Sequence, residues 1–150
     1  PCTMLRATCA IPIYFPPVRI DGETYYDGGL ADPIPIRRSL QDGNERNLIV
    51  LTQPESYRKT LGRGTKFTAK HFKRRYPAMS EVLLERAEHY NETVRFCHRL
   101  AAEKPQDTVL LQPEKSLNSF EKDVKKLEWG YEMGYNIACA RMEEIKALFR

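Results

Sequence analysis

Three prolines set among bulky apolar residues, in Ile11-Pro12-Ile13-Tyr14-Phe15-Pro16-Pro17-Val18, rule out a helix across this stretch near the start of a chain of 150 residues. The stretch is expected to be an extended, buried connector. It leads into Val18-Arg19-Ile20 and Glu23-Thr24-Tyr25-Tyr26, which flank Asp21-Gly22. That dipeptide tolerates positive φ at both centres of a two-residue turn, so the pattern predicts a β-hairpin. A second turn is expected at Asp27-Gly28-Gly29. Upstream, Thr3 to Ala10 reads as helical, and because the chain opens at Pro1 inside that pattern, an N-terminally truncated protein is expected.

Asp32-Pro33 predicts a helix with Asp32 as N-cap, Pro33 at the first helical position, Pro35 still in the first turn and Gly43 at the close. Asn47 to Thr52 is a continuous apolar run of strand length, which predicts a central strand covered on both faces. A helix followed by such a strand indicates an α/β fold. Hydrophobic residues make up 41% and charged residues 29%, which excludes low-complexity and largely disordered classes. The length suits one compact unit or a piece of a larger one. No apolar run approaches the roughly 18 residues of a membrane span and no basic-then-apolar leader opens the chain, so a cytoplasmic location is the expectation.

Beyond Gln53-Pro54 the composition changes, which suggests a division into residues 1–53 and 54–150. Tyr57 to Tyr76 holds eight basic residues (Arg58, Lys59, Arg63, Lys66, Lys70, Lys73, Arg74 and Arg75) and no acidic one, interleaved with Phe67 and Phe72. Met79, Leu83, Ala87, Tyr90, Val94, Cys97 and Ala101 then recur at steps of three and four, predicting one long core-facing helix that Pro105 stops. Thr108 to Leu111 is a short strand candidate. Asn118 with Glu121 suggests a capping-box start to a last helix carrying Leu127, Tyr131, Tyr135, Ala138, Met142 and Ile145.

Several chemistries lack the residues they need. His71, His89 and His98 lack zinc spacing, no acidic cluster has calcium-loop spacing, and the four cysteines form no Cys-x-x-Cys pair, so neither a metal nor a cofactor is assigned. Cys97 and His98 are helical neighbours about 100° apart, which suits a core thiol beside a surface histidine. The Asn91-Glu92-Thr93 sequon lies in the long helical pattern and reads as coincidental. None of Ser39, Ser56, Ser80, Ser116 and Ser119 has the flanking glycines of a nucleophile elbow. Gly62-Arg63-Gly64 lacks the further glycine and preceding strand of a phosphate loop.

What remains is Tyr26-Asp27-Gly28-Gly29-Leu30-Ala31-Asp32-Pro33. An acid ending a hairpin strand, followed by two glycines, presents a carboxylate at a sheet rim, although Asp-Gly-Gly is equally a common structural turn. Taken together with Arg6-Ala7-Thr8-Cys9-Ala10-Ile11-Pro12, Phe15-Pro16-Pro17-Val18 and the following Ile34-Pro35, the order and spacing resemble the second half of the patatin-like phospholipase family, especially its bacterial members. The resemblance covers about the first third of the chain; the remainder resembles the helical C-terminal extension of those members.

That resemblance implies the C-terminal part of a patatin-like α/β hydrolase domain followed by a mainly helical extension. It implies a Ser-Asp dyad in which Asp27 is the catalytic aspartate, Gly28 and Gly29 shape its loop, and a lipid ester is the substrate. The serine and the glycine-rich oxyanion loop of the family have no counterpart here, so the chain alone is expected to be inactive. The basic stretch carries a different expectation: Arg58, Lys59, Lys66, Lys70, Lys73, Arg74 and Arg75 could face an anionic membrane surface on a non-catalytic remnant or scaffold, or simply form a solvated face. Nucleic acid is not an expected partner, since no reading helix or single-strand motif accompanies the charge.

Overall fold

A computed structural model describes residues 2–118 and 121–150. In chain order it contains α1 (Cys2–Thr8), β1 (Val18–Ile20), β2 (Glu23–Tyr25), a 3-10 turn (Gly28–Leu30), α2 (Ile36–Gln41), β3 (Asn47–Val50), α3 (Arg63–Phe72), α4 (Pro77–Glu103), β4 (Thr108–Leu111), α5 (Val124–Ala140) and α6 (Met142–Ala147). This mixture of helices and small sheets is compatible with the α/β class. Two compact units result, each drawn from separate stretches: Pro1–Pro35 with Lys59–Val94, and Ile36–Arg58 with Arg95–Arg150. The division at residue 53 follows composition, whereas compactness groups the chain in this interleaved way. Among the described residues no helix is long and apolar enough to cross a membrane.

In the first unit the hairpin forms as its turn chemistry requires. Asp21 and Gly22 both have positive φ, 51° and 87°, and Val18, Arg19 and Ile20 pair antiparallel with Tyr25, Thr24 and Glu23. Val18 packs with Ala7 and Ala10 at the end of α1, with Ile20 partly buried against them. A second cluster joins Ala69 and Phe72 of α3 to Leu83 of α4, with Tyr26, Leu30, Tyr76 and Met79 at its margin. Burying a side chain such as Phe72 contributes about 2–3 kcal/mol. The long helix starts on Pro77, whose missing N–H is harmless at a first helical position, and ends at Glu103 because Pro105 pushes Lys104 out of helical geometry.

The second unit is organised around β3 and β4, which run parallel in the register Asn47 to Thr108 through Val50 to Leu111. Val109 is 1% exposed and packs with Leu111 and Leu148, flanked by Ile137, Ala138 and Ile145. Asn47 is satisfied at the strand start, where its side chain accepts from Ser39 Oγ at 2.7 Å and donates to Asn44 O at 3.0 Å. Arg46 reaches the carbonyl of Leu148 at 3.1 Å, tying the last residues to β3.

Several expectations need correction. The connector is a turn with most of its bulk outside: of Ile11 to Val18 only Pro12 and Val18 are buried, and Phe15 N donates to Ile11 O at 2.9 Å. The helix expected from Asp32 begins at Ile36, because Pro35 disfavours helical geometry at Ile34. The strand expected to be covered on both faces alternates, with Ile49 buried and Val50 64% exposed, since two strands alone leave one face open. The last helix is capped by Asp123, which accepts from Lys125 N at 3.0 Å, while the carbonyl of Asn118, ahead of the helix, accepts from Glu121 N. Tyr131 and Tyr135 stack on each other in solvent, and the helix breaks at Arg141. His98 is half-buried, its Nε2 enclosed without a hydrogen-bond partner.

Candidate active site around Asp27

The hairpin delivers Asp27 one residue beyond Tyr26, which follows β2, and the backbone there is fixed from two sides. Asp27 N donates to Ala10 O at 3.0 Å, fastening the strand end to the residues after α1. Asp27 is also the N-cap of the 3-10 turn: its Oδ1 accepts from Gly29 N at 2.8 Å. The carboxylate is half-buried and forms no ion pair with any described cation. Its orientation is therefore set by its own loop.

The glycines have separate reasons to be there. A Cβ at Gly28 would stand 2.7 Å from Thr8 Oγ1, so only a residue without a side chain lets the turn lie against α1. Gly29 supplies the N–H for the carboxylate, and its carbonyl accepts from Arg86 Nε of α4 at 3.3 Å. Arg86 thus braces the turn from 57 residues away. No local pattern announces it, and it reads from sequence as one more surface cation of the long helix.

Tyr26 packs edge-on to Phe72 and Tyr76, with ring centroids 5.7 and 6.4 Å away, and forms one wall of a cleft of about 870 Å³. Burial, with the neighbouring Tyr76, raises the Tyr26 phenol above its ordinary range against a smaller opposing effect of Arg75, so this wall stays uncharged. Ile13, Tyr14 and Phe15 also line the cleft. Ile13 has φ 74°, left-handed geometry that a β-branched residue adopts at a cost of about 1–3 kcal/mol. Tyr25, by contrast, is exposed.

The basic residues separate into distinct environments. Arg58, in the second unit, folds back on the carbonyls of Glu55 and Tyr57. Lys59 is anchored in the first: its N–H donates to Asn91 Oδ1 at 2.8 Å, its carbonyl accepts from Asn91 Nδ2 at 2.9 Å, and its Nζ lies 4.8 Å from the Tyr90 ring centre. Burial, and then Arg86, lowers the Lys59 ammonium below its ordinary value. Asn91, seen in sequence as part of a sequon, is engaged by this clamp. Lys66, Lys70, Lys73, Arg74 and Arg75 are all exposed on α3 and the turn after it, with Arg75 over the Tyr76 ring at 5.6 Å. Among the described residues no group of three or more His, Cys, Asp and Glu is placed to hold a metal ion.

Comparison with known families assigns two segments. Residues 2–40, which include α1, the hairpin and the Asp27 turn, match the model of the patatin-like phospholipase family, a family of lipid hydrolases. Residues 76–150, half of the chain, match the model described as Domain of unknown function (DUF6363). No curated protein matches the chain. The order of the two matches puts a patatin-like phospholipase segment ahead of the larger one, and by that larger match the chain belongs to the family described as Domain of unknown function (DUF6363).

Proposed function

We propose that this chain supplies the aspartate of a Ser-Asp dyad to a lipid acyl hydrolase, with residues 1–53 as the C-terminal part of a patatin-like α/β hydrolase domain and 54–150 as a basic segment and helical extension. One observation carries the reading. Asp27 lies in the segment that matches the patatin-like family, half-buried, unpaired with any described cation, and oriented by the N–H of its own motif.

In this mechanism Oδ1 stays on Gly29 N–H and Oδ2 accepts the proton of a serine hydroxyl from outside these 150 residues. The serine oxygen bonds to the ester carbonyl carbon, the C–O bond to the alcohol breaks, and the protonated Asp27 returns its proton to the departing alkoxide. Water, giving a proton to Asp27, then attacks the acyl-serine and releases the fatty acid, and the proton returns to the serine. Oxyanion donors also come from outside the chain, and their loss alone costs about 10²–10³ in rate. The 150 residues by themselves are therefore expected to show no ester hydrolysis above a buffer control.

The test uses a longer polypeptide that joins this chain to a Gly-x-Ser-x-Gly segment. Asp27→Asn should lower hydrolysis of a fatty-acyl ester by about 10²–10⁴ while the thermal transition stays near wild type. Retained turnover in that variant removes Asp27 from the chemistry and leaves the remnant or scaffold reading, in which the motif is a structural turn.

A further inference from the structure

The cleft beside Tyr26 is rimmed by large apolar side chains that the first unit leaves in solvent. Tyr14 is 72% exposed and Phe67 70%, and the exposed Ile13 and Phe15 line the same cleft. Tyr14 and Phe15 are carried out by the turn at Ile13, whose strained φ is retained without any burial in return. Phe67 stands on the outer face of α3, where Lys66 and Lys70 flank it, while Ala69 and Phe72 fill the inner face. Lys73, Arg74 and Arg75 continue the charge past the helix end, and no acidic residue interrupts Tyr57 to Tyr76. None of these five cations takes part in a described ion pair.

We infer that this rim and the cations beside it form a docking surface for an anionic lipid bilayer, with Tyr14, Phe15 and Phe67 entering the headgroup layer. Charge complementarity names the occupant: the cations of α3 and the turn after it put one sign of charge beside the apolar rim, so a bilayer gains both from ring insertion and from attraction of anionic headgroups. A nucleic acid would use the cations but gives no role to Ile13, an exposed aliphatic side chain that lines the cleft. The inference deepens the lipid-ester reading of the same region without resting on the dyad, because binding needs no turnover. Tyr26, in the wall of the cleft, is the residue before Asp27.

Flotation of this chain with vesicles tests the inference, using phosphatidylcholine alone and phosphatidylcholine with about a third phosphatidylglycerol. Binding is expected to the anionic vesicles only and should fall steadily with added salt. Lys70→Glu with Arg74→Glu should weaken it by about fivefold or more for each charge lost. Tyr14→Ser with Phe67→Ser should weaken it by about tenfold or more, and all four positions are exposed, so the thermal transition should stay in place. Asp27→Asn should bind like wild type, so a failed dyad and a failed docking surface are told apart. Equal binding to both vesicle types, binding to neither, or insensitivity to salt in the unmodified chain would each overturn the inference. So would capture of a single-stranded oligonucleotide in place of vesicles.

Discussion

In the first unit the hairpin of β1 and β2 buries one side chain, Val18, and is closed by two residues at positive φ. In the second, the parallel pair of β3 and β4 buries Asn47, Ile49, Thr108, Val109 and Leu111 and has no turn joining its strands. One sheet is specified by local backbone chemistry, the other by burial between residues far apart in the chain. The contrast teaches why the Asp27 turn can be well defined in a region with little core. Its geometry comes from tight backbone approaches, such as Gly28 on Thr8 and Asp27 N on Ala10 O, which need little apolar area. The second unit depends instead on Val109 and its neighbours.

The comparison can be broken by mutation, and the largest effect belongs to the second unit. Val109→Asp places an unpaired carboxylate where the native side chain is 1% exposed, and should cost about 4 kcal/mol or more. Hydrogen exchange would show protection lost in β3 and β4 and largely retained in β1 and β2; loss of both together would mean the units do not differ as described. Next comes Gly28→Ala, which drives a methyl group onto Thr8 Oγ1 and should cost about 1–3 kcal/mol. Adding Thr8→Ala should recover part of that loss in a double-mutant cycle. Gly134→Ala in α5 is the control: its Cβ would meet open space, so a gain of about 0.5–1 kcal/mol is expected. Equal losses at both glycines would refute the close approach at Gly28.

Smaller effects sharpen the same contrast. Ile13→Gly relieves the left-handed strain and should raise the thermal transition by an amount worth about 1 kcal/mol, since the side chain removed is exposed. A fall would show that Ile13 packs against something in solution. An effect confined to alkaline pH concerns Cys97, whose thiol burial pushes up from 9.0 to about 11, with Arg37 acting the other way. A raised folded value means that the neutral thiol is favoured by folding, so its contribution is complete below 9.0 and is lost as pH rises from there toward about 11. Unfolding curves across that range should show wild type losing stability more steeply than Cys97→Ala. Thiol reagents should reach the exposed Cys2, Cys9 and Cys139 in the native protein and Cys97 only after unfolding.

Much of the fold was readable because it rests on short-range rules. Asp21-Gly22 made its hairpin, the stripe from Met79 to Ala101 became α4, and Thr108 to Leu111 became β4 with those same ends. The resemblance of the Asp27 segment to patatin-like phospholipases agrees with the family match over residues 2–40. Misreadings arose where a neighbour decides. Three prolines correctly excluded a helix at Ile11 to Val18, but the burial expected of that stretch did not follow, and Tyr14 and Phe15 stay exposed. Tyr131 and Tyr135 have helical spacing suited to a core, but α5 turns Met133 and Ile137 toward a cavity at the strand ends and leaves the tyrosines outside.

What the residues alone determined is the hairpin that leads to Asp27: Asp21 and Gly22 accept the positive φ that a two-residue turn demands, a requirement met within a few positions. What only the tertiary structure decided is which distant groups hold the turn at Asp27 and which surfaces stay open. Arg86 on the Gly29 carbonyl, Asn91 clamping Lys59, and β3 finding β4 each join residues separated by more than thirty positions. Such pairings depend on how the intervening segments bury their apolar faces, and that choice is a property of the whole packed chain rather than of any window within it.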